Sequence, residues 1–123
     1  MTAVASLDMG TSNYAFYTET IDRTVEDDKI GNYALGDVRD NKFYPAYVGR
    51  SDSDLRAELK ARLATKSPSR RRFKFSYASS RKEAFDKECR NYHDFSGLEN
   101  ENHPPRPEGQ SYPCPVSECD ALD

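Results

Sequence analysis

Two neighbouring stretches, Asn32 to Val38 and Phe43 to Val48, are rich in β-branched, aromatic and small residues. Arg39-Asp40-Asn41-Lys42 lies between them and Gly49 closes the second, so the pattern predicts an antiparallel hairpin. The period then changes. Leu55, Leu59 and Leu63 recur at i, i+4 and i+8, which predicts a helix from about Ser53 to Ala64, with Ser51, Asp52 or Ser53 placed to cap it. Pro68 ends any extension, and residues 66–72 (KSPSRRR) form a basic loop. Phe73, Phe75 and Tyr77 alternate with Lys74 and Ser76, giving a third strand with one apolar face. Ser80 and Glu83 match a capping box that opens a second helix carrying Phe85, Cys89 and Tyr92, with Gly97 placed to stop it.

Outside this middle the pattern weakens. Ala3, Ala5 and Leu7 alternate with Val4, Ser6 and Asp8 ahead of a Gly10-Thr11-Ser12-Asn13 turn, so residues 3–18 read as an extra N-terminal hairpin, and acidic residues 19–29 as a loop. From Leu98 the chain is rich in Pro, Asn and Glu with little periodicity, which predicts a wrapped tail. The expected organisation is residues 1–28 as hairpin and loop, 29–103 as a single α+β domain with a small three-stranded antiparallel sheet flanked by helices, and 104–123 as a Pro-rich tail.

Composition narrows the options. A chain of 123 residues with 36% hydrophobic and 32% charged residues has one thin core. No run of about 18 apolar residues exists, so no membrane span is expected, and Met1 to Leu7 is too short for a signal peptide. Three cysteines cannot all pair, which points to a reducing, cytoplasmic setting. The net charge of −3 conceals an asymmetry: residues 56–90 hold twelve Lys or Arg against four carboxylates, and the rest of the chain is strongly acidic. A basic middle of this kind is what a phosphate-binding face requires, although charge runs are often only solvated surface.

Particular residues sharpen this. Gly31-Asn32-Tyr33 on one strand of the hairpin and Tyr47-Val48-Gly49 on its partner resemble the paired signature tripeptides of the GIY-YIG nuclease family. Arg50-Ser51 and the helix start at Asp54-Leu55 look like the family's continuation, Glu83 to Glu88 resembles its glutamate-bearing helix, and Leu98-Glu99-Asn100 its late asparagine. The resemblance covers residues 31–103. It implies a metal-dependent endonuclease that hydrolyses phosphodiester bonds in DNA, with Tyr33, Tyr47, Arg62, Glu88 and Asn100 as catalytic residues and Glu88 holding Mg²⁺ or Mn²⁺. Such a reaction needs an activated water, a metal to polarise the phosphoryl oxygen and a cation for the developing charge. The expected DNA contacts are Arg50, Arg56, Lys60, Arg70, Arg71, Arg72 and Lys74. Specificity would come from a protein partner, from DNA structure, or be low.

One departure from the family pattern concerns the cation. The helical position that usually carries Arg holds Glu58, and the position one turn later holds Arg62. Either Arg62 supplies the charge, or Arg50 or Arg56 does, or the domain is a catalytically impaired DNA-binding or interaction module. Glu58 and Arg62 also suit an i, i+4 ion pair. Glu88 has Ala84 and Tyr92 at i±4, so no basic partner is evident on its own helix, and its side chain is expected beside the sheet face that bears Tyr33 and Tyr47. Asn32, where an apolar residue is usual, is a milder departure.

Two further constellations carry less weight. Cys89 and His93 stand at i, i+4, and Cys114 and Cys119 are near His103, but Cys89 suits the core stripe and Cys114 lies among prolines, so no tightly held zinc is expected, with a structural zinc as the alternative reading. Leu7 to Asn13 resembles the first-strand motif of ribonuclease-H-like resolvases over about ten residues only, and a plain turn explains it equally.

Overall fold

A computed structural model describes residues 7–95, 97–116 and 119. It is an α+β structure in which a four-stranded antiparallel sheet is covered on both faces. The strands are β1 (Tyr14–Ala15), β2 (Gly31–Arg39), β3 (Lys42–Ser51) and β4 (Arg72–Tyr77), in the order β1-β4-β2-β3. The helices are α1 (Thr18–Thr24), α2 (Leu55–Ala61), which runs on into a 3-10 turn over Arg62–Thr65, and α3 (Arg81–Asp94).

The central hairpin forms as its pattern predicts. Asp40 and Asn41 both adopt positive φ, the backbone that a two-residue turn between right-twisted strands requires. Between Leu35 and Gly36 the register slips, so that Leu35 faces Tyr47 while Gly36 faces Pro45. On its other side β2 pairs with β4, Tyr33 opposite Phe75 and Leu35 opposite Phe73.

Successive residues of β2 serve opposite faces. Tyr33 and Leu35 join Phe16, Ile21, Val25, Leu55, Leu59 and Phe73 beneath α1 and α2. Ala34 and Val48 pack instead with Leu7 and Met9, and with Tyr92, Phe95 and Leu98 from the α3 side. Ser80 caps α3 by accepting from the Glu83 amide, 3.1 Å. Glu83 reaches back to the Ser79 amide, one residue earlier than the capping box predicts. Asp54 caps α2, rather than Ser51, Asp52 or Ser53; Ser51 Oγ instead accepts from the amide of Asp54.

Three sequence expectations are corrected. The sheet has four strands, not three, because Tyr14–Ala15 pairs with β4. For the described part of residues 3–18 there is no hairpin: 7–13 form no strand, with Asp8 and Gly10 both at positive φ, and the upstream residues 3–6 lie outside the described residues. The same finding removes the resolvase-like first strand. The acidic segment 19–29 is not all loop, since α1 occupies its first part. This seven-residue helix is held by tertiary contacts: Ile21 and the capping Val25 are buried, and Arg56 donates to the carbonyls of Val25 (2.6 Å) and Asp22 (3.2 Å) at its C-terminal end. The tail wraps α3, placing the Tyr112 ring 6.3 Å from that of Phe85. Among the described residues, no helix is long and apolar enough to cross a membrane.

Candidate functional site

The site lies at the edge of the sheet. Among the described residues β3 is the edge strand, with no strand on its outer side, so groups from both faces can meet around it. Tyr33 stands on the α2 face, its hydroxyl donating to Glu58 Oε2 at 2.8 Å. Arg62, one turn on from Glu58, donates to the same oxygen at 3.0 Å. Tyr47 stacks beside Tyr33 with ring centroids 6.3 Å apart, and the guanidiniums of Arg62 and Arg70 lie 5.4 and 4.7 Å from its ring. Gly49 makes this arrangement possible: opposite Tyr33 on β3, any Cβ there would collide with the Tyr33 ring and hydroxyl.

The opposite face contributes Glu88. Arg50, the residue after Gly49 and therefore on the other face of β3, donates to Glu88 Oε1 at 2.6 Å and to Asp52 Oδ1 at 2.8 Å. Both partners in the Arg50–Glu88 pair are nearly inaccessible to water, with side chains 7% and 9% exposed. Burial pushes the Glu88 carboxyl up to about 7, while Arg50 pulls it down and the charges of Asp52 and Glu58 add to the rise. Burial likewise raises the Tyr33 hydroxyl, as does the adjacent Glu58, so Tyr33 keeps its proton.

Tyr33, Tyr47, Arg62 and Glu88 thus line one cleft of about 240 Å³, together with Gly49, Arg50, Asp52 and Glu58. A larger cleft of about 570 Å³ continues from it past Arg70, Glu99 and Asn100 to His103 and Pro105. Two expectations about Glu88 are corrected. It comes from the face opposite Tyr33 and reaches the cleft around the β3 edge. It also has a basic partner, supplied by β3 rather than by its own helix. Asn100 borders the larger cleft but spends its amide on β3, donating to the Val48 carbonyl (2.8 Å) and accepting from its amide (3.0 Å).

The basic residues expected to meet DNA are largely engaged within the chain. Arg50 is buried with its two carboxylates. Arg56 holds the end of α1, and Lys60 pairs with Asp22 at 2.8 Å. Arg70 pairs with Glu99 at 2.6 Å, Arg72 donates to Asn13, and Lys74 donates to the Gly10 carbonyl. Arg71 pairs with Asp37 but keeps a 61% exposed side chain. These residues do not form one free cationic surface; several fasten the N-terminal segment and α1 to the sheet.

Glu88 offers a hard cation a single carboxylate, one of whose oxygens is already on Arg50. That donor set fits Mg²⁺ or Mn²⁺ held through one oxygen and keeping most of its water, with Arg50 opposing the added charge.

A second group of polar side chains carried little weight in the sequence, where Cys89 stands with His93 and Cys114 and Cys119 lie near His103 and no tightly held zinc is expected. The fold brings His93, His103, Cys114 and Cys119 together, with their ligand atoms all within 4.8 Å of one another. Burial and the neighbouring His103 both hold His93 below the ordinary imidazole value. Cys89 is excluded from the four, being buried in the stripe of α3. The signal in the sequence was the combined spacing of all four, which crosses from a helix to the tail.

No family model, curated protein or solved structure matches this chain.

Proposed function

We propose that the chain is a divalent-metal-dependent endonuclease acting on phosphodiester bonds in DNA. The observation that carries the reading is the convergence, around one edge strand, of two tyrosines, an arginine and a buried glutamate in a cleft of about 240 Å³. These residue types supply what phosphodiester hydrolysis requires, and they come from four separate elements or turns of the fold.

Each side chain has a role set by its surroundings. Arg62 presents positive charge at the cleft for the phosphoryl group. Tyr47, whose ring is flanked by two guanidiniums, has no hydrogen-bond partner for its hydroxyl among the described residues and can orient water or phosphate. Tyr33 can accept a proton from the attacking water on its oxygen while passing its own to Glu58, which already accepts that hydrogen bond. Glu88 would hold the metal, which when bound supplies Lewis-acid polarisation of a phosphoryl oxygen. Arg50 and Asp52 keep Glu88 oriented toward the edge of β3.

A second reading, a catalytically impaired DNA-binding or interaction module, is favoured by one observation: Glu88 is already neutralised by Arg50 and Arg62 by Glu58. Plasmid DNA separates the two. The wild-type chain is expected to nick plasmid in Mg²⁺ or Mn²⁺ and not in EDTA. Glu88→Gln, which leaves Arg50 its bond to Asp52, should fold normally by circular dichroism and still bind DNA, yet lose nearly all cleavage. Equal cleavage by the Gln variant would overturn the mechanism, and a wild type silent in every metal would leave the second reading standing.

A further inference from the structure

At the last turn of α3, away from the β3 edge, four donors from three segments converge. His93 lies in the last turn of the helix, His103 precedes Pro104, and Cys114 and Cys119 follow in the tail. His93 Nε2 and His103 Nε2 are 3.3 Å apart, Cys114 Sγ is 3.6 Å from His93 Nε2, and Cys119 Sγ is 3.4 Å from His103 Nε2. A tetrahedral zinc with ordinary Zn–N and Zn–S bonds sets its ligands about 3.4 Å apart for N···N and about 3.6 Å for N···S. Three of the six edges match those figures, and all six lie within 4.8 Å.

The hydrogen bonding points the same way. His103 Nδ1 lies 3.0 Å from the Pro104 carbonyl, which can only accept, so that nitrogen carries the proton. Nε2 of the neutral ring is then a bare lone pair, aimed at the bare or shared Nε2 of His93. A backbone carbonyl behind the ring is the usual way a metal-binding histidine is held in its tautomer. Without a cation the two thiols can each donate to a neighbouring imidazole Nε2, and a cation would take the place of those two protons. The surrounding segment is stiff, because Pro113 and Pro115 restrict the backbone on either side of Cys114.

We propose that His93, His103, Cys114 and Cys119 bind one zinc ion in a closed, structural His₂Cys₂ site. Two nitrogens and two thiolates in a tetrahedron favour zinc over magnesium or calcium, and four protein ligands leave no open position for catalysis. Binding removes the thiol protons from both cysteines and releases them to solvent. The ion would tie the tail to α3, and with it the residues from Glu99 to Pro105 that wall the larger cleft. This proposal is independent of the nuclease reading, since none of its four ligands is Glu88, Tyr33, Tyr47 or Arg62.

Metal analysis of the full chain, purified without chelators, should find about one zinc per chain. Replacing zinc with Co²⁺ should give the intense visible bands of tetrahedral cobalt with a thiolate charge-transfer band in the near ultraviolet. Stripping the metal should lower Tm by about 5 °C or more, with recovery on adding zinc. Cys119→Ser and His103→Ala should each lose the stoichiometric metal, while Cys89→Ser keeps it. A weak octahedral cobalt spectrum with wild-type protein, a Cys114–Cys119 disulfide found by thiol counting under reducing purification, or metal lost in Cys89→Ser and kept in Cys119→Ser would each overturn the proposal. The cobalt spectrum is read on wild-type protein, so it decides the matter even where a ligand variant fails to fold.

Discussion

The edge of β3 and the end of α3 are both clusters of polar side chains in a small protein, and they are built on opposite principles. At the β3 edge every charge meets its opposite: Arg50 lies between Glu88 and Asp52, and Arg62 and the Tyr33 hydroxyl share Glu58. At the end of α3 the groups that meet are alike, imidazole nitrogens and thiol sulfurs, all able to donate electron pairs and none carrying an opposite charge. The first cluster can fold with what the chain provides. The second is expected to be stable only with something added. A set of saturated charges is poised for work that requires breaking one of its pairs; a set of convergent nitrogen and sulfur donors suits a cation such as zinc.

The strongest test of this contrast is to break the buried pair. Arg50→Met leaves Glu88 without its partner in a nearly dry position and removes a guanidinium that lies 5.3 Å from the Phe85 ring. The expected cost is about 3 kcal/mol, at the lower end of what a buried pair loses with one partner, because the orphaned carboxyl can take up a proton. Urea denaturation should show it as a fall in midpoint at unchanged slope. The double variant Arg50→Met with Glu88→Gln should recover much of that loss. Equal destabilisation in the single and double variants would mean that packing, not the charge pair, holds this edge.

The neighbouring pair should report in catalysis. Arg62→Ala is expected to lower cleavage about 10²-fold, the range lost with one electrostatic stabiliser. From the sequence pattern alone Glu58 would repel a phosphate, so that its removal should be tolerated or even help. The structure changes that expectation, because Glu58 is the common acceptor for Tyr33 and Arg62. Glu58→Ala should therefore cost about 10-fold in cleavage rate, less than the roughly 10²-fold or more of a group that takes the proton directly, because Glu58 acts through Tyr33. Faster cleavage by Glu58→Ala would show that the carboxylate only opposes the phosphate.

What the sequence could reveal follows the range of the interactions. The β2–β3 hairpin and α3 were legible because period, turn and cap lie within about ten residues of each other. α1 was not, since a seven-residue helix with one buried residue has no stripe to read, and its stability comes from Arg56 on α2. That Tyr33 and Tyr47 share a neighbourhood followed from the hairpin register. The face from which Glu88 arrives did not, because periodicity tells which side of a helix is buried but not on which side of the sheet the helix packs. The Arg50–Glu88 bond spans 38 positions, and His93 and Cys119 are likewise joined only through the path of the tail.

Asn32 offers the finest test, because it sits between the two principles. It is fully buried on β2, on the face toward α3, and its Nδ2 donates to the Ala84 carbonyl at 2.8 Å, while its Oδ1 has no hydrogen-bond partner. One half of the amide is satisfied and the other is not. Asn32→Val removes both. The loss of the bond to Ala84 costs about 1 kcal/mol, and the carbonyl it leaves lies within α3, where a helical amide can satisfy it. Against this, an unpaired buried oxygen disappears and a β-branched residue enters a central strand, gains of similar size. Stability should change by no more than about 1 kcal/mol in either direction, measured by urea denaturation. A loss well beyond that would mean that the amide is a clamp between β2 and α3 whose free oxygen is satisfied by a buried water, and the contrast between saturated and unsaturated clusters would then extend into the core.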